Sequence, residues 1–421
     1  MHRLALLAGA TLFAACTAAH AGGSWRIVKD HWSETDERGY SHFVEALGET
    51  NCNSAESCLQ SAANPYRFAA QLPGIHVDCA KLPYLLRAYY AWNNGLPFSY
   101  ISVVRGKGGD LRFTNTSNVA VSRTDLVDAG NGIDASNAIR TMLANVFTGM
   151  FRFDPRERAS LVSDFYSPAV QRGSIRPGTM LYDVHGHVMV VDKVDADGRV
   201  SYMDGNPDLR VTRGVYGPQL GRPPMQLGGG FKNWRPFRLV GATSDTAGHL
   251  IGGHAAFAQN NVIADYSIVQ YTGNVNPAET DTRNARYAYN GIPVGPFEYV
   301  RVALSNGQTR DAPVYALRVA MRTLCNGLQH QSDESRRTRV STEVAQFHDE
   351  LAGAILLWVN RDPRIAYDGE FLKTDLAKAY DEESRACGAT TPSKISPSIL
   401  KSLIDNMGAQ VAFRGMAPVG N

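Results

Sequence analysis

The sequence carries almost no net charge: 42 Lys and Arg against 40 Asp and Glu leave +2 at pH 7 with histidine neutral. A mainly electrostatic partner, whether nucleic acid or an anionic membrane surface, is therefore not expected. Beyond residue 21 no apolar run is long enough to span a bilayer, so no membrane span is expected either. Cys-x-x-Cys, His-Glu-x-x-His and the Gly-Lys-Ser/Thr of a phosphate loop are all missing. Nothing in the motifs calls for a metal, a redox dithiol or a nucleotide, and no cofactor is expected. Internal repeats and low-complexity tracts are absent as well. What remains is a globular composition, 44% apolar and 19% charged over 421 residues, enough for two or three domains. With 39 glycines and 20 prolines the chain is rich in turns, which excludes an all-helical bundle throughout.

The N-terminus reads as an address. Arg3 supplies a positive start, Leu4 to Ala15 a short apolar run, and Ala19-His20-Ala21 a small-x-small cleavage signal. Residues 1–21 are therefore read as a signal peptide, and the mature protein as secreted or periplasmic. Phe13-Ala14-Ala15-Cys16 loosely matches a bacterial lipobox, so lipid anchoring at Cys16 ranks second.

Export gives the few cysteines meaning. Of six, cleavage removes Cys16 and leaves Cys52, Cys58, Cys79, Cys325 and Cys387, an odd number in an oxidising compartment. Cys52 and Cys58 lie close together in a polar stretch and are candidates for a local disulfide. Cys325 and Cys387 both fall in the helical C-terminal part and form a second candidate pair. Cys79 is left over, and an unpaired cysteine in an exported protein calls for a functional explanation, set against the ordinary alternative of a buried inert thiol.

Residues 36–48 have a helical pattern, with Thr35 placed to cap it and Gly48 to end it. In residues 76–95, Leu82, Leu85, Leu86, Tyr89 and Tyr90 recur at helical spacing, so Cys79 opens a buried helix with Pro83 in its first turn. Strands are expected at 98–104 and 110–114, a helix at 135–152 and a shorter one at 155–165. Pro177-Gly178 introduces a strand, Gly186 precedes a second at 187–194, and Asp197-Gly198 turns that into a third at 199–204. A further strand is expected at 231–240. Residues 241–295 are polar and weakly periodic, as in an irregular connector. From 296 the pattern turns helical, with Val340, Val344, Phe347, Leu351 and Ile355 forming one stripe.

Thiol chemistry on a carbonyl needs a thiolate, an imidazole beside it and a polar group to orient the ring. A helix N-terminus favours the thiolate through its unpaired N–H groups, one of which can also serve an oxyanion. Cys79 occupies such a position. His187 opens an apolar strand, and Asp204 ends the strand expected to pair with it, so the two can meet across the hairpin. Asp204 would set the imidazole tautomer and favour its charged form; Asn206 could do only the first. His185 is the alternative for the imidazole, and His76 a weaker one. Asp78 is read as a helix cap rather than an activator.

The stretch Asp78-Cys79-Ala80-Lys81-Leu82, the run Pro177-Gly178-Thr179-Met180-Leu181 and the later Gly186-His187-Val188-Met189-Val190 resemble blocks of the NlpC/P60-like (papain-like) cysteine peptidase superfamily. The resemblance covers short blocks between about 76 and 206. It implies an α+β, papain-like domain over 22–240, with the Cys helix packed on an antiparallel sheet, and an all-helical domain follows over 296–421. It also implies thiol-dependent cleavage of amide bonds, commonly in bacterial cell-wall peptides, with Cys79 as nucleophile, His187 as base and Asp204 as orienting group. The expected substrate is a peptide or a peptidoglycan stem, and the C-terminal helical domain is free to bind a protein partner. Two alternatives share the residue order: a transglutaminase-like acyl transferase or deamidase, and a non-catalytic envelope protein that keeps the fold.

Overall fold

The computed structural model describes residues 23–306, apart from 157–160, 197, 218–219, 277, 280 and 290–291. Cys16, Cys325, Cys387, the signal segment and most of the expected helical domain, including the stripe from Val340 to Ile355, lie outside the described residues. In chain order the elements begin with Ser24–Trp25 (β1), Glu34–Gly48 (α1), Ala55–Gln60 (α2), Lys81–Asn93 (α3), Phe98–Arg105 (β2), Val119–Leu126 (β3), Ile133–Asp134 (β4) and Ala135–Asn145 (α4). They continue with Phe165–Tyr166 (β5), Met180–Asp183 (β6), His187–Val194 (β7), Val200–Gly205 (β8), Val211–Val215 (β9), Gly230–Trp234 (β10) and Phe237–Val240 (β11). Thr243–Ser244 (β12), Leu250–Ile251 (β13), His254–Phe257 (β14), Val269–Thr272 (α5), Tyr287–Tyr289 (β15), Ile292–Val294 (β16) and Pro296–Leu304 (α6) complete them. This is a mixed fold of helices and antiparallel sheet, compatible with the α+β class.

The largest sheet has six strands in the order β5-β10-β6-β7-β8-β9, every neighbouring pair antiparallel. Tyr40, Phe43, Val44 and Leu47 of α1 and the apolar side chains of α3 share one core with Met180, Val188, Val190 and Met203 of the sheet. Every residue of α3 from Leu82 to Trp92 is buried, which explains its near-continuous apolar sequence. The one charge in that buried stretch, Arg87, makes two hydrogen bonds to the Glu37 carboxylate, at 2.9 and 2.5 Å. The guanidinium also lies 3.3 Å from the Trp32 ring centroid. Among the described residues no helix is long and apolar enough to cross a membrane.

Several elements depart from the expectation for local reasons. Helix α1 is capped by Ser33, not Thr35, because Ser33 and Asp36 close a reciprocal capping box. Residues 110–114 form a turn, with the Phe113 N–H donating to the Asp110 carbonyl, and Val119–Leu126 pairs with β2 instead. The helix expected at 135–152 stops at Asn145, where Val146 is extended, and a 3-10 turn follows at Thr148–Phe151. In the stretch expected as a short helix at 155–165, Phe165 begins strand β5. The strand expected at 231–240 is broken at Arg235-Pro236, since proline has no N–H for the ladder. Residues 241–295, read as a connector, carry short paired strands and fold back on the sheet. Gln270 shows how: its side chain accepts from the Phe231 N–H at 2.8 Å and donates to the Phe231 carbonyl at 3.0 Å.

Candidate active site

Cys79 lies in the turn that leads into α3, two residues before the helix begins. Asp78 caps that turn: its carboxylate accepts from the Lys81 N–H at 3.2 Å, and its carbonyl accepts from the Leu82 N–H. Its carboxylate also pairs with the Lys81 ammonium at 3.2 Å. Cys79 is buried and is the one free cysteine among the described residues, while Cys52 and Cys58 form a disulfide as expected.

The sheet delivers the other groups to the same place. Gly186, in the turn joining β6 to β7, accepts from the Cys79 thiol through its carbonyl, with sulfur and oxygen 3.7 Å apart. Gly205, the last residue of β8, packs against the same turn from the other side. A Cβ there would lie 2.7 Å from the Asp78 carbonyl oxygen and 3.3 Å from the Cys79 nitrogen, so only glycine allows this approach. Between these two glycines, His187 opens β7 and Asp204 is the next-to-last residue of β8, diagonal to it across the hairpin.

His187 Nε2 is 2.6 Å from Asp204 Oδ2, and Cys79 lies close enough to the same ring to raise its pKa. With Nε2 taken by the carboxylate, Nδ1 is the nitrogen left for sulfur. Burial pushes the His187 pKa down, but Asp204 and Cys79 beside the ring outweigh it and hold it up at about 10. At neutral pH the imidazole is therefore charged. Its side chain retains 34% exposure, against 11% for Asp204, so one edge of the site opens to solvent.

The alternatives fall elsewhere. His185 is exposed and pairs with Asp183 at 2.8 Å in the turn before Gly186. His76 is exposed as well. Asn206 donates to the Thr212 hydroxyl at 2.8 Å, and Thr212 in turn donates to Asp204 Oδ1. Asn206 thus supports the carboxylate indirectly and does not replace it. Thr212 escaped the sequence reading: it lies on β9, and only the pairing of Asp204 with Thr212 across the β8–β9 ladder reveals it.

Below the site, the buried Arg152 guanidinium donates to the Val184 carbonyl at 2.9 Å, the Tyr182 hydroxyl at 3.1 Å and the Thr114 carbonyl. Burial raises the Tyr182 phenol pKa, with Arg152 opposing, so the ring stays neutral beside the thiol. Neither Arg152 nor Tyr182 was expected at the site, because nothing in their own sequence neighbourhood marks them.

Comparisons of the chain with protein-family models, with curated proteins and with solved structures found no match.

Proposed function

We propose that this protein is an exported thiol-dependent hydrolase that cleaves an amide bond in a peptide or a peptidoglycan stem, on a papain-like domain related to the NlpC/P60 peptidases. The observation that carries the proposal is one imidazole held by the Asp204 carboxylate, with the only free thiol among the described residues beside it, against the carbonyl of the preceding Gly186. The disulfide between Cys52 and Cys58 supports an oxidising compartment, periplasmic or extracellular.

In this reading the reactive form of the site is a Cys79 thiolate beside the His187 imidazolium. Sulfur attacks the carbonyl carbon, and the oxyanion takes a hydrogen bond from backbone N–H at the Cys79 turn. The C–N bond then breaks as His187 passes its proton to the leaving amine, leaving an S-acyl enzyme. Water gives a proton to His187 and adds to the acyl carbon; the carboxylic acid departs and the thiolate returns. Asp204 keeps the ring aligned through each of these proton transfers.

Iodoacetamide should alkylate Cys79 faster than a free cysteine near neutral pH, and His187→Ala should slow it by about a hundredfold. Incubation with purified peptidoglycan should release peptide fragments ending in a new carboxylate. Transfer of the acyl group to an added amine would favour the acyl-transferase alternative. A Cys79 no more reactive than free cysteine, with intact peptidoglycan, would favour the non-catalytic one.

A further inference from the structure

Phe113 is a large aromatic residue left 52% exposed. Its ring edge lies against Gly186, the residue whose carbonyl receives the Cys79 thiol. A Cβ built on Gly186 would fall 2.7 Å from Phe113 Cε1 and 3.1 Å from Cζ. Gly186 also has φ +93°, a conformation suited to glycine, so the ring has a seat that no other residue would leave open.

The ring is held in place from below. Arg152 donates to the carbonyl of Thr114, the next residue, and with its other nitrogen to the Val184 carbonyl of the turn that carries Gly186. Asn118 donates to the Leu111 carbonyl at 2.8 Å and the Gly149 carbonyl at 3.0 Å. One buried guanidinium thus fixes the Phe113 loop and the His187 turn relative to each other. Single exposed apolar residues need no explanation in general; this one is anchored through the same residue that positions the reacting groups.

The charge around the ring selects among ligands. Arg112 lies 5.2 Å from the ring centroid, but its guanidinium is bound by both oxygens of Asp110, at 3.0 and 2.5 Å. The local cation is matched, and an anionic group gains little there.

We propose that Phe113 forms one wall of a subsite for an apolar, uncharged side chain adjoining the scissile carbonyl. The proposal rests on the hydrolase reading above, because it assumes that a carbonyl is presented to Cys79. It is tested with two active-site alkylators, the chloromethyl ketones of N-acetylphenylalanine and N-acetylglycine, from which sulfur displaces chloride. The wild-type protein should be labelled at Cys79 at least about tenfold faster by the phenylalanine reagent. Phe113→Ala should abolish that preference while leaving the iodoacetamide rate unchanged, and Phe113→Leu should retain part of it. No preference in the wild type, or one that survives Phe113→Ala, overturns the subsite and leaves the hydrolase reading intact. A Cys79 inert to both ketones and to iodoacetamide overturns both. Peptide mapping confirms the labelled residue, and the unchanged iodoacetamide rate shows that the variant is folded.

Discussion

Asp204 does two things for His187: it occupies Nε2, which fixes the tautomer, and its negative charge holds the ring protonated well above the ordinary imidazole range. A neutral carboxamide keeps part of the first effect and loses the second. In Asp204→Asn the alkaline limb of the pH–rate profile, set near 10 in the wild type, should move down by about 1–3 pH units. Thr212 acts one bond further out, through Asp204 Oδ1. Thr212→Val should lower kcat by about three- to tenfold with little change in KM, as expected for one hydrogen bond of about 1 kcal/mol, and Thr212→Ser should restore it. A Thr212→Val enzyme with a wild-type pH profile and rate would show that the hydroxyl does not act on the imidazole.

At the scale of elements, the strands at 180–205 were legible because short apolar runs are bounded there by glycine turns; helix α3 was legible because its apolar residues repeat without a break. Cys79, His187 and Asp204 accordingly stood out as candidates from their positions at or near the ends of those elements. What escaped was set by contacts distant in sequence. Arg152 lies 32 residues from Val184, and its role follows only from where its guanidinium ends. Residues 110–114 have the composition of a strand, yet the glycines before them and the Asp110 carbonyl turn them back. The disulfide is local, spanning six residues, but its loop is hydrogen-bonded to a strand distant in sequence. Asn53, between Cys52 and Cys58, accepts from the Val211 N–H at 2.9 Å, and Arg213 donates to the Cys52 carbonyl at 2.8 Å. It therefore ties α2 to the edge strand that carries Thr212. Replacing both cysteines by serine should cost about 2 kcal/mol, the loop entropy of a short closure. The loss, read from denaturant midpoints, should be accompanied by a fall in the Cys79 alkylation rate. A lowered midpoint with an unchanged rate would confine the disulfide to stability.

At the scale of the whole molecule, stability against pH is set by a few buried groups with opposing signs. Asp192 on β7 is 5% exposed, and burial raises its pKa to about 6, although Arg213 and Lys193 pull the other way and Glu49 adds to the rise. Because its folded pKa stands above the unfolded value, its contribution is fully present below pH 3.8 and is lost as pH rises through about 6. His187 has the same sign at higher pH, its contribution falling between 6.5 and about 10. Lys232 has the opposite sign: burial lowers it to about 7, so its penalty is relieved as pH rises from there toward 10.5. The two cancel in part above neutrality, which leaves Asp192 alone in the window from about 4 to 6. The folded protein should therefore lose stability between about pH 4 and 6, unlike a domain whose carboxylates are all held low, as Asp36 and Asp128 are here. Asp192→Asn carries no charge to bury, so its melting temperature should exceed that of the wild type at pH 7 and converge with it near pH 4. The difference at pH 7 corresponds to about 1–3 kcal/mol. Thermal scans of the two proteins at both pH values measure it directly, and parallel curves would show that Asp192 pays no penalty for its burial.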